Sequence, residues 1–124
     1  MKFKTRVLPY YTGGFGEKAY TLDLPPGLAF SFKEGIYYGE VKREKEIFHG
    51  LFYFGPVPTL GIKDKNLEFL VLDLGIEYIA PDDIIECELK EYFHEIREYD
   101  LVDYLARDTE IDKQTVITKY LYKE

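Results

Sequence analysis

The chain has 124 residues, of which 46% are hydrophobic and 31% are charged, and its formal net charge is −7. That length suits one domain built around one core, so we expect a single domain over residues 1–124. The acidic balance disfavours nonspecific nucleic-acid binding, which depends on basic patches that neutralise phosphates. We therefore expect no nucleic-acid partner, and a small acidic domain of this kind is compatible with a monomer.

Three further features bear on the compartment. The single cysteine, Cys87, cannot form an internal disulfide, which favours a reducing cytoplasm. The first residues, MKFKTRVLPYY, lack the apolar core of a signal peptide, and no segment approaches a membrane span. Asn and Gln each occur once beside abundant Lys and Glu, a composition typical of thermophilic proteins. We expect a cytoplasmic protein without membrane contact, from a thermophilic source.

The first part of the chain reads as short strands separated by Gly and Pro turns. Residues 2–10 (KFKTRVLPY) alternate apolar and charged side chains, as a half-buried strand does. Residues 19–24 (AYTLDL) predict a second strand, and residues 25–35 (PPGLAFSFKEG) predict a turn and an irregular segment. Residues 36–55 predict a hairpin whose turn lies near residues 43–45.

Two more strands follow the hairpin. Residues 67–74 (LEFLVLDL) are too apolar for a strand with one solvated face, so we expect burial on both faces or a path through a barrel interior. Residues 83–92 (DIIECELKEY) alternate Ile85, Cys87 and Leu89 with charged residues, which predicts the final strand. On that strand Cys87 is expected to be a small core residue.

The pattern becomes helical from about residue 99. Leu105 and its neighbours fall at helical spacing with Asp100 able to cap the first turn, and Asp112 could cap a further segment that contains Val116. Short strands followed by a terminal helix predict a mainly β domain, either a small barrel or a sandwich. The barrel is favoured because the strands are short and evenly spaced and the aromatic content is high.

One polar pair lies beside the glycine-rich stretch that contains Gly13, Gly14 and Gly16. In an extended strand, Thr21 and Asp23 point the same way, because residues two apart share a face. A hydroxyl and a carboxylate on one face suit Mg²⁺ and phosphate oxygens. From this stretch alone, an ordinary polar strand face in solvent is the better interpretation.

Glu68 is a single carboxylate at the start of the most apolar strand. If buried there it would suit a general base, whereas at the strand mouth it would lie in water. The preceding GPVPTLG (55–61) is sufficiently explained as a proline-stiffened turn. No Walker loop, H-E-x-x-H or C-x-x-C motif occurs, and His49 and His94 are expected to be ordinary strand or surface residues.

The order of these motifs resembles the riboflavin kinase (flavokinase) family over nearly the whole chain. RVLPYYTGGFG resembles the family's first strand and glycine loop, and KEGIYYGEV resembles its signature strand. GLFYFGPVPTLG is similar to the G-x-x-P-T-[FL] turn, and LEFLVLDL is similar to the strand that follows it. DIIECELKEYF and LVDYLARDTE resemble the last strand and the C-terminal helix.

The resemblance implies a six-stranded antiparallel Greek-key β-barrel with a C-terminal helix. It also implies an enzyme that uses ATP and Mg²⁺ to phosphorylate the 5′-hydroxyl of riboflavin, which gives FMN. By the same resemblance, Glu68 is the catalytic base, Thr21 binds Mg²⁺ and phosphate, and Asp23 stands where the P-T-A-N motif has its asparagine. The remaining phosphate-binding candidates lie in the glycine loop: Gly14, Gly16 and Lys18.

The sequence departs from the family pattern at this loop. P-T-A-N reads Tyr20-Thr21-Leu22-Asp23, and the loop between Gly16 and Thr21 is several residues shorter. Three hypotheses follow: a minimal riboflavin kinase, a non-catalytic flavin- or nucleotide-binding regulatory module on the same barrel, or a structural domain that retains only the fold. Retention of Glu68, Thr21 and Asp23 favours the kinase, whereas the altered motif and short loop favour the binding module.

Overall fold

The structure is a computed structural model that describes residues 2–10, 14–15, 19–27, 33–72 and 79–121. Within these ranges it contains six strands and one α-helix. Their bounds are β1 (Lys2–Arg6), β2 (Tyr20–Leu22), β3 (Gly35–Arg43), β4 (Glu46–Val57), β5 (Ile62–Val71), β6 (Ile84–His94) and α1 (Val102–Val116). A 3₁₀ turn, Pro58–Leu60, joins β4 to β5, and a π-helical turn, Ile117–Leu121, follows α1.

The strands form one antiparallel sheet in the order β1-β6-β3-β4-β5-β2. Its two outer strands meet, because Val7 forms a bridge to Leu22. The N–H of Leu8 donates to the carbonyl of Thr21 at 2.8 Å, which adds to the closure. These contacts curl the sheet so that its first and last strands touch at one end. The predicted six-stranded antiparallel barrel with a C-terminal helix is therefore confirmed.

Alternation of side chains sets the faces of β1 and β6. On β6, Ile85, Cys87 and Leu89 are buried, which confirms Cys87 as a core residue. The β3–β4 hairpin turns at Glu44 and Lys45, as the sequence predicts. Glu44 has φ 56°, so the turn uses a left-handed residue that is compatible with the twist of the two strands.

Two apolar layers explain why β5 is apolar on both faces. Leu67 and Phe69 pack inside the barrel with residues such as Phe52. Leu70 lies in a second layer with Tyr53 and with residues from the C-terminal helix. All the side chains from Leu67 to Leu70 are buried, so the expected two-sided burial is confirmed. The outer layer exists because α1 covers that side of the barrel.

The helical expectations need correction. Leu101, not Asp100, occupies the N-cap of α1, and its side chain makes no capping hydrogen bond. Asp112 lies inside α1, so its predicted role as the cap of a second segment is wrong. The buried face of α1 carries Leu105, Thr109 and Val116. No helix in the described part of the chain combines the length and apolar character needed to cross a membrane.

Candidate active site

Glu68 occupies the second half of β5, between two neighbouring strands. Its backbone pairs with Thr21 on β2 and with Tyr53 on β4. The side chain is 0% exposed, so Glu68 does not lie in water at the strand mouth. It shares the outer face of the barrel with Leu70, two residues later.

The carboxylate of Glu68 is bound by the backbone of Gly14. The Gly14 N–H donates to Oε1 at 3.0 Å and to Oε2 at 2.8 Å. A Cβ atom at position 14 would lie 2.6 Å from Oε2 and 3.0 Å from the ring of Tyr53. Only glycine allows this approach without displacing a neighbour. The close contact therefore explains why residue 14 is a glycine without reference to any ligand.

Tyr53 forms one wall beside Glu68. Its ring packs edge-to-face on Phe15 with centroids 5.6 Å apart, and its hydroxyl donates to the carbonyl of Pro56 at 2.5 Å. Burial first, and then the negative charge of Glu68, raise the pKa of Tyr53 well above its usual range. Tyr53 is thus held as a neutral hydrogen-bond donor next to a carboxylate.

The two metal candidates lie in different surroundings. Thr21 is buried beside Glu68, whereas Asp23 is more than half exposed. Oδ2 of Asp23 lies 3.3 Å from Nε of Arg6. Nη1 of the same arginine lies 3.7 Å from Oδ1 of Asp82. A hydroxyl and a carboxylate are oxygen donors that Mg²⁺ accepts, and Mg²⁺ keeps several of its waters. The donor chemistry fits the ion, provided that Arg6 releases the carboxylate.

A groove of about 430 Å³ lies beside Asp23. Its lining includes the cations Lys4 and Arg6 and the apolar residues Leu24 and Pro25. The volume lies within the roughly 300–1,000 Å³ range of small-molecule sites. The groove therefore offers a surface with two cations and an apolar wall next to a candidate metal ligand.

Helix α1 packs against the Gly14–Phe15 segment. Thr109, buried on α1, donates its hydroxyl to the carbonyl of Phe15 at 2.7 Å. The cavity enclosed here by Gly14, Tyr53, Thr109 and neighbouring residues measures about 10 Å³. That is room for roughly one water molecule. This cavity is too small for a flavin.

Two polar clusters hold α1, one to β6 and one to the segment between β6 and α1, and neither was predicted from the sequence. His94 is a strand residue, as expected, and its Nε2 lies 2.7 Å from Oδ2 of Asp112. Oδ2 of Asp108 accepts hydrogen bonds from Arg97, at 2.8 Å, and from the hydroxyl of Tyr99. A usable signal was present in the sequence, since both aspartates fall on the side of α1 that carries Leu105.

Two of the predicted phosphate-binding residues lie outside the part of the chain that the structure describes. They are Gly16 and Lys18. Among the residues that are described, no cluster of three or more His, Cys, Asp or Glu side chains could hold a metal ion.

A larger groove of about 790 Å³ runs along α1 past Ile111 and Thr118. It contains none of the candidate residues, so we do not locate the site there.

The barrel is similar to a solved structure described as a macrolide-efflux protein from Streptococcus pneumoniae. The TM-score is 0.68 at 15% sequence identity, and the match covers 96% of this chain and 38% of that one. At this identity the likeness shows the fold alone, and the present chain spans little more than a third of the length of that protein. A search of curated proteins finds no match.

The family comparison covers most of the chain. The model described as "Flavokinase: Riboflavin kinase" matches residues 13–120. This range includes the Gly14 amide, the aligned Thr21 and Glu68, and the aspartates of α1. The chain therefore belongs to the riboflavin kinase (flavokinase) family.

Proposed function

We propose that this chain is a riboflavin kinase-like phosphotransferase, which transfers the γ-phosphoryl group of ATP to the 5′-hydroxyl of riboflavin. The observation that carries the proposal is the position of Glu68. It is a buried carboxylate aligned with Thr21 across β2 and β5, and the Gly14 amide reaches it from the glycine-rich loop.

Glu68 would act as the general base. Its carboxylate accepts the proton of the riboflavin hydroxyl as the oxygen of that hydroxyl forms a bond to the γ-phosphorus. The bond between that phosphorus and the β,γ-bridging oxygen breaks, and ADP leaves. Phosphoryl transfer depends mainly on positioning and charge neutralisation, so one base beside a phosphate-binding surface is sufficient machinery.

Mg²⁺ would arrive with ATP as part of the substrate, and it would neutralise charge on the phosphates. Thr21 and Asp23 would hold it, and Lys4 and Arg6 add positive charge in the adjoining groove. Gly14, together with Gly16 and Lys18, would contact the phosphates. An acidic chain needs such local cations to bind a polyanion. A single free cysteine favours a reducing compartment, which supports a cytoplasmic reaction.

A second candidate is a non-catalytic flavin- or nucleotide-binding module with a regulatory role. The complete burial of Glu68 favours it, because the 5′-hydroxyl can reach the carboxylate only after Gly14 and Phe15 move. The kinase hypothesis requires Gly14 and Phe15 to move when substrate binds, as active-site loops do in many enzymes. The binding module requires no access to Glu68.

The deciding experiment incubates the purified chain with riboflavin, ATP and Mg²⁺ and measures FMN by chromatography. Glu68→Gln should lower the rate at least about 100-fold, since a general base contributes roughly 10²–10⁴. Glu88→Gln is the matched control. Glu88 is a partly exposed carboxylate on β6 that pairs with Lys2 and Lys90, and its loss should leave the rate unchanged.

Flavin binding separates the remaining possibilities. Quenching of riboflavin fluorescence without any FMN would move the assignment to the binding module. A folded chain that quenches no flavin fluorescence and binds no nucleotide would leave only a structural role for the barrel. Urea unfolding of each variant establishes that a lost activity does not reflect a lost fold.

A further inference from the structure

Thr109 is a polar residue on the buried face of α1. Its neighbours along this face are Leu105, one turn earlier, and Val116, two turns later, and all three side chains are buried. Burying a hydroxyl is unfavourable unless it forms a hydrogen bond. Thr109 forms one with a specific partner, the carbonyl oxygen of Phe15, at 2.7 Å. The helix is thereby joined to one particular backbone group.

That backbone group belongs to the Gly14–Phe15 segment. The segment is held at both ends, because the Gly14 N–H donates to Glu68 while the Phe15 carbonyl accepts from Thr109. The Phe15 ring packs on Tyr53, the strand neighbour of Glu68. A shift of the carbonyl away from α1 would therefore carry the Gly14 N–H away from the carboxylate.

We propose that Thr109 is a positioning residue for Glu68. Its hydrogen bond to Phe15 fixes the place at which the Gly14 N–H meets the two carboxylate oxygens, and so sets how firmly Glu68 is held. The catalytic consequence rests on the proposed function, whereas the positioning itself is a property of the folded chain. Thr109 acts through the Gly14–Phe15 segment and does not touch the reacting atoms.

Hydrogen exchange of the Gly14 amide, measured by NMR on ¹⁵N-labelled chain, tests the positioning directly. Thr109→Val keeps nearly the same shape and removes the donor, so Gly14 should exchange about two- to tenfold faster, the range expected for one hydrogen bond. Thr109→Ser keeps the hydroxyl and should retain slow exchange. The amide of Phe52, in the barrel core, reports global unfolding in each variant.

Thr115→Val is the matched control on the same helix. The Thr115 hydroxyl donates to the carbonyl of Ile111 at 3.0 Å, on the exposed side of α1. Its removal changes a threonine to valine without touching the Gly14–Phe15 segment. Gly14 exchange should then stay at the wild-type rate. Equal Gly14 exchange in the Thr109→Val and Thr115→Val variants would overturn the proposal.

Kinetics separate this proposal from the proposed function. Because the 5′-hydroxyl reaches Glu68 only after Gly14 and Phe15 move, Thr109→Val should ease that movement and, in a chain that makes FMN, raise kcat about two- to tenfold with little change in KM for ATP. Thr109→Ser should keep the wild-type kcat. Unchanged kcat despite faster Gly14 exchange would overturn the catalytic part. A chain that makes no FMN, yet exchanges Gly14 faster only in Thr109→Val, would reject the kinase and support the positioning of Glu68.

Discussion

Nε2 of His94 lies 2.7 Å from Oδ2 of Asp112, which joins the last residue of β6 to the middle of α1. The other ring nitrogen, Nδ1, lies 2.7 Å from the carbonyl oxygen of Glu95. Both nitrogens thus face acceptors, an arrangement that the doubly protonated ring satisfies and the neutral ring does not. The contact therefore holds α1 against the barrel most firmly when His94 is charged.

Replacement of Asp112 tests the pH dependence of this contact. The hydrogen bond to Asp112 raises the pKa of His94, as does the Glu95 carbonyl, while burial and Arg97 oppose the change. The stabilisation is fully present below the unfolded pKa, about 6.5, and is lost as pH rises through the higher folded pKa. Asp112→Asn should cost about 1–2 kcal/mol near pH 5.5, and less at alkaline pH.

Urea unfolding of both proteins across this pH range measures the difference. Asp103→Asn is a suitable control, because Asp103 lies in the first turn of the same helix. If the difference in unfolding free energy between wild type and Asp112→Asn grows as the pH rises, His94 does not carry the charge that stabilises this contact.

The second polar cluster, around Asp108, has the opposite pH dependence: its stabilising effect is lost as the pH falls. The Tyr99 hydroxyl first, and then Arg97, hold the pKa of Asp108 below its usual range. The stabilisation is present above the unfolded pKa, about 3.9, and is lost as pH falls through the lower folded pKa. Asp108→Asn should therefore cost about 1 kcal/mol at neutral pH, and the variant should converge on wild type in acid.

Unfolding at pH 7 and in acid checks this expectation. Glu110→Gln is an exposed change on the same helix that weakens contacts with Lys113 and Gln114, so it should alter the free energy of unfolding only slightly. If Asp108→Asn is less stable than wild type by the same free energy in acid as at pH 7, the loss comes from packing and not from the charge of Asp108.

The turn between β4 and β5 also contacts the approach to α1. The Tyr99 N–H donates to Oγ1 of Thr59 at 3.0 Å, within the 3₁₀ turn. Thr59→Val removes this acceptor and should lower the free energy of unfolding by about 1 kcal/mol. Thr59→Ser retains the oxygen and should stay within a few tenths of wild type. A loss in Thr59→Ser without one in Thr59→Val, measured in urea, would instead assign the effect to the γ-methyl group, which valine keeps and serine lacks.

Strands β1 and β6 were predictable because their exposure alternates from one residue to the next. That alternation, and the buried run from Leu67 to Leu70, follow from a barrel with an inner and an outer layer. Asp112 was not predictable in the same way. Aspartate is a common N-cap, and local sequence does not reveal that His94, 18 residues earlier, lies across from it. Tertiary pairing decided its position within one continuous helix.

The site was predictable in part. The order of motifs identified Glu68 and Thr21 as candidates, and the register of β2 and β5 brings the two together. The contact between Gly14 and Glu68 spans 54 residues, and it depends on backbone that only the folded barrel brings close. Thr109 gave no signal, because a lone threonine on a helix is usually a surface residue.

Gly14→Ala tests whether close approach, rather than backbone conformation, requires a glycine at this position. The new Cβ would lie 2.6 Å from Oε2 of Glu68, so the variant should lose about 1–3 kcal/mol of stability. Gly27→Ala is the contrasting control, since Gly27 has φ +83° with no atom within 4 Å of its Cβ site. That change should cost only backbone strain, about 1 kcal/mol.

A double-mutant cycle then isolates the clash itself. Removing the carboxylate in Glu68→Ala opens the space that the new methyl group needs, so Gly14→Ala should cost less in that background than in wild type. The coupling should fall within the roughly 0.5–3 kcal/mol found for residues in contact. Gly27→Ala should be additive with Glu68→Ala. Additive losses at position 14, measured by urea unfolding, would mean that Gly14 does not contact Glu68 in solution.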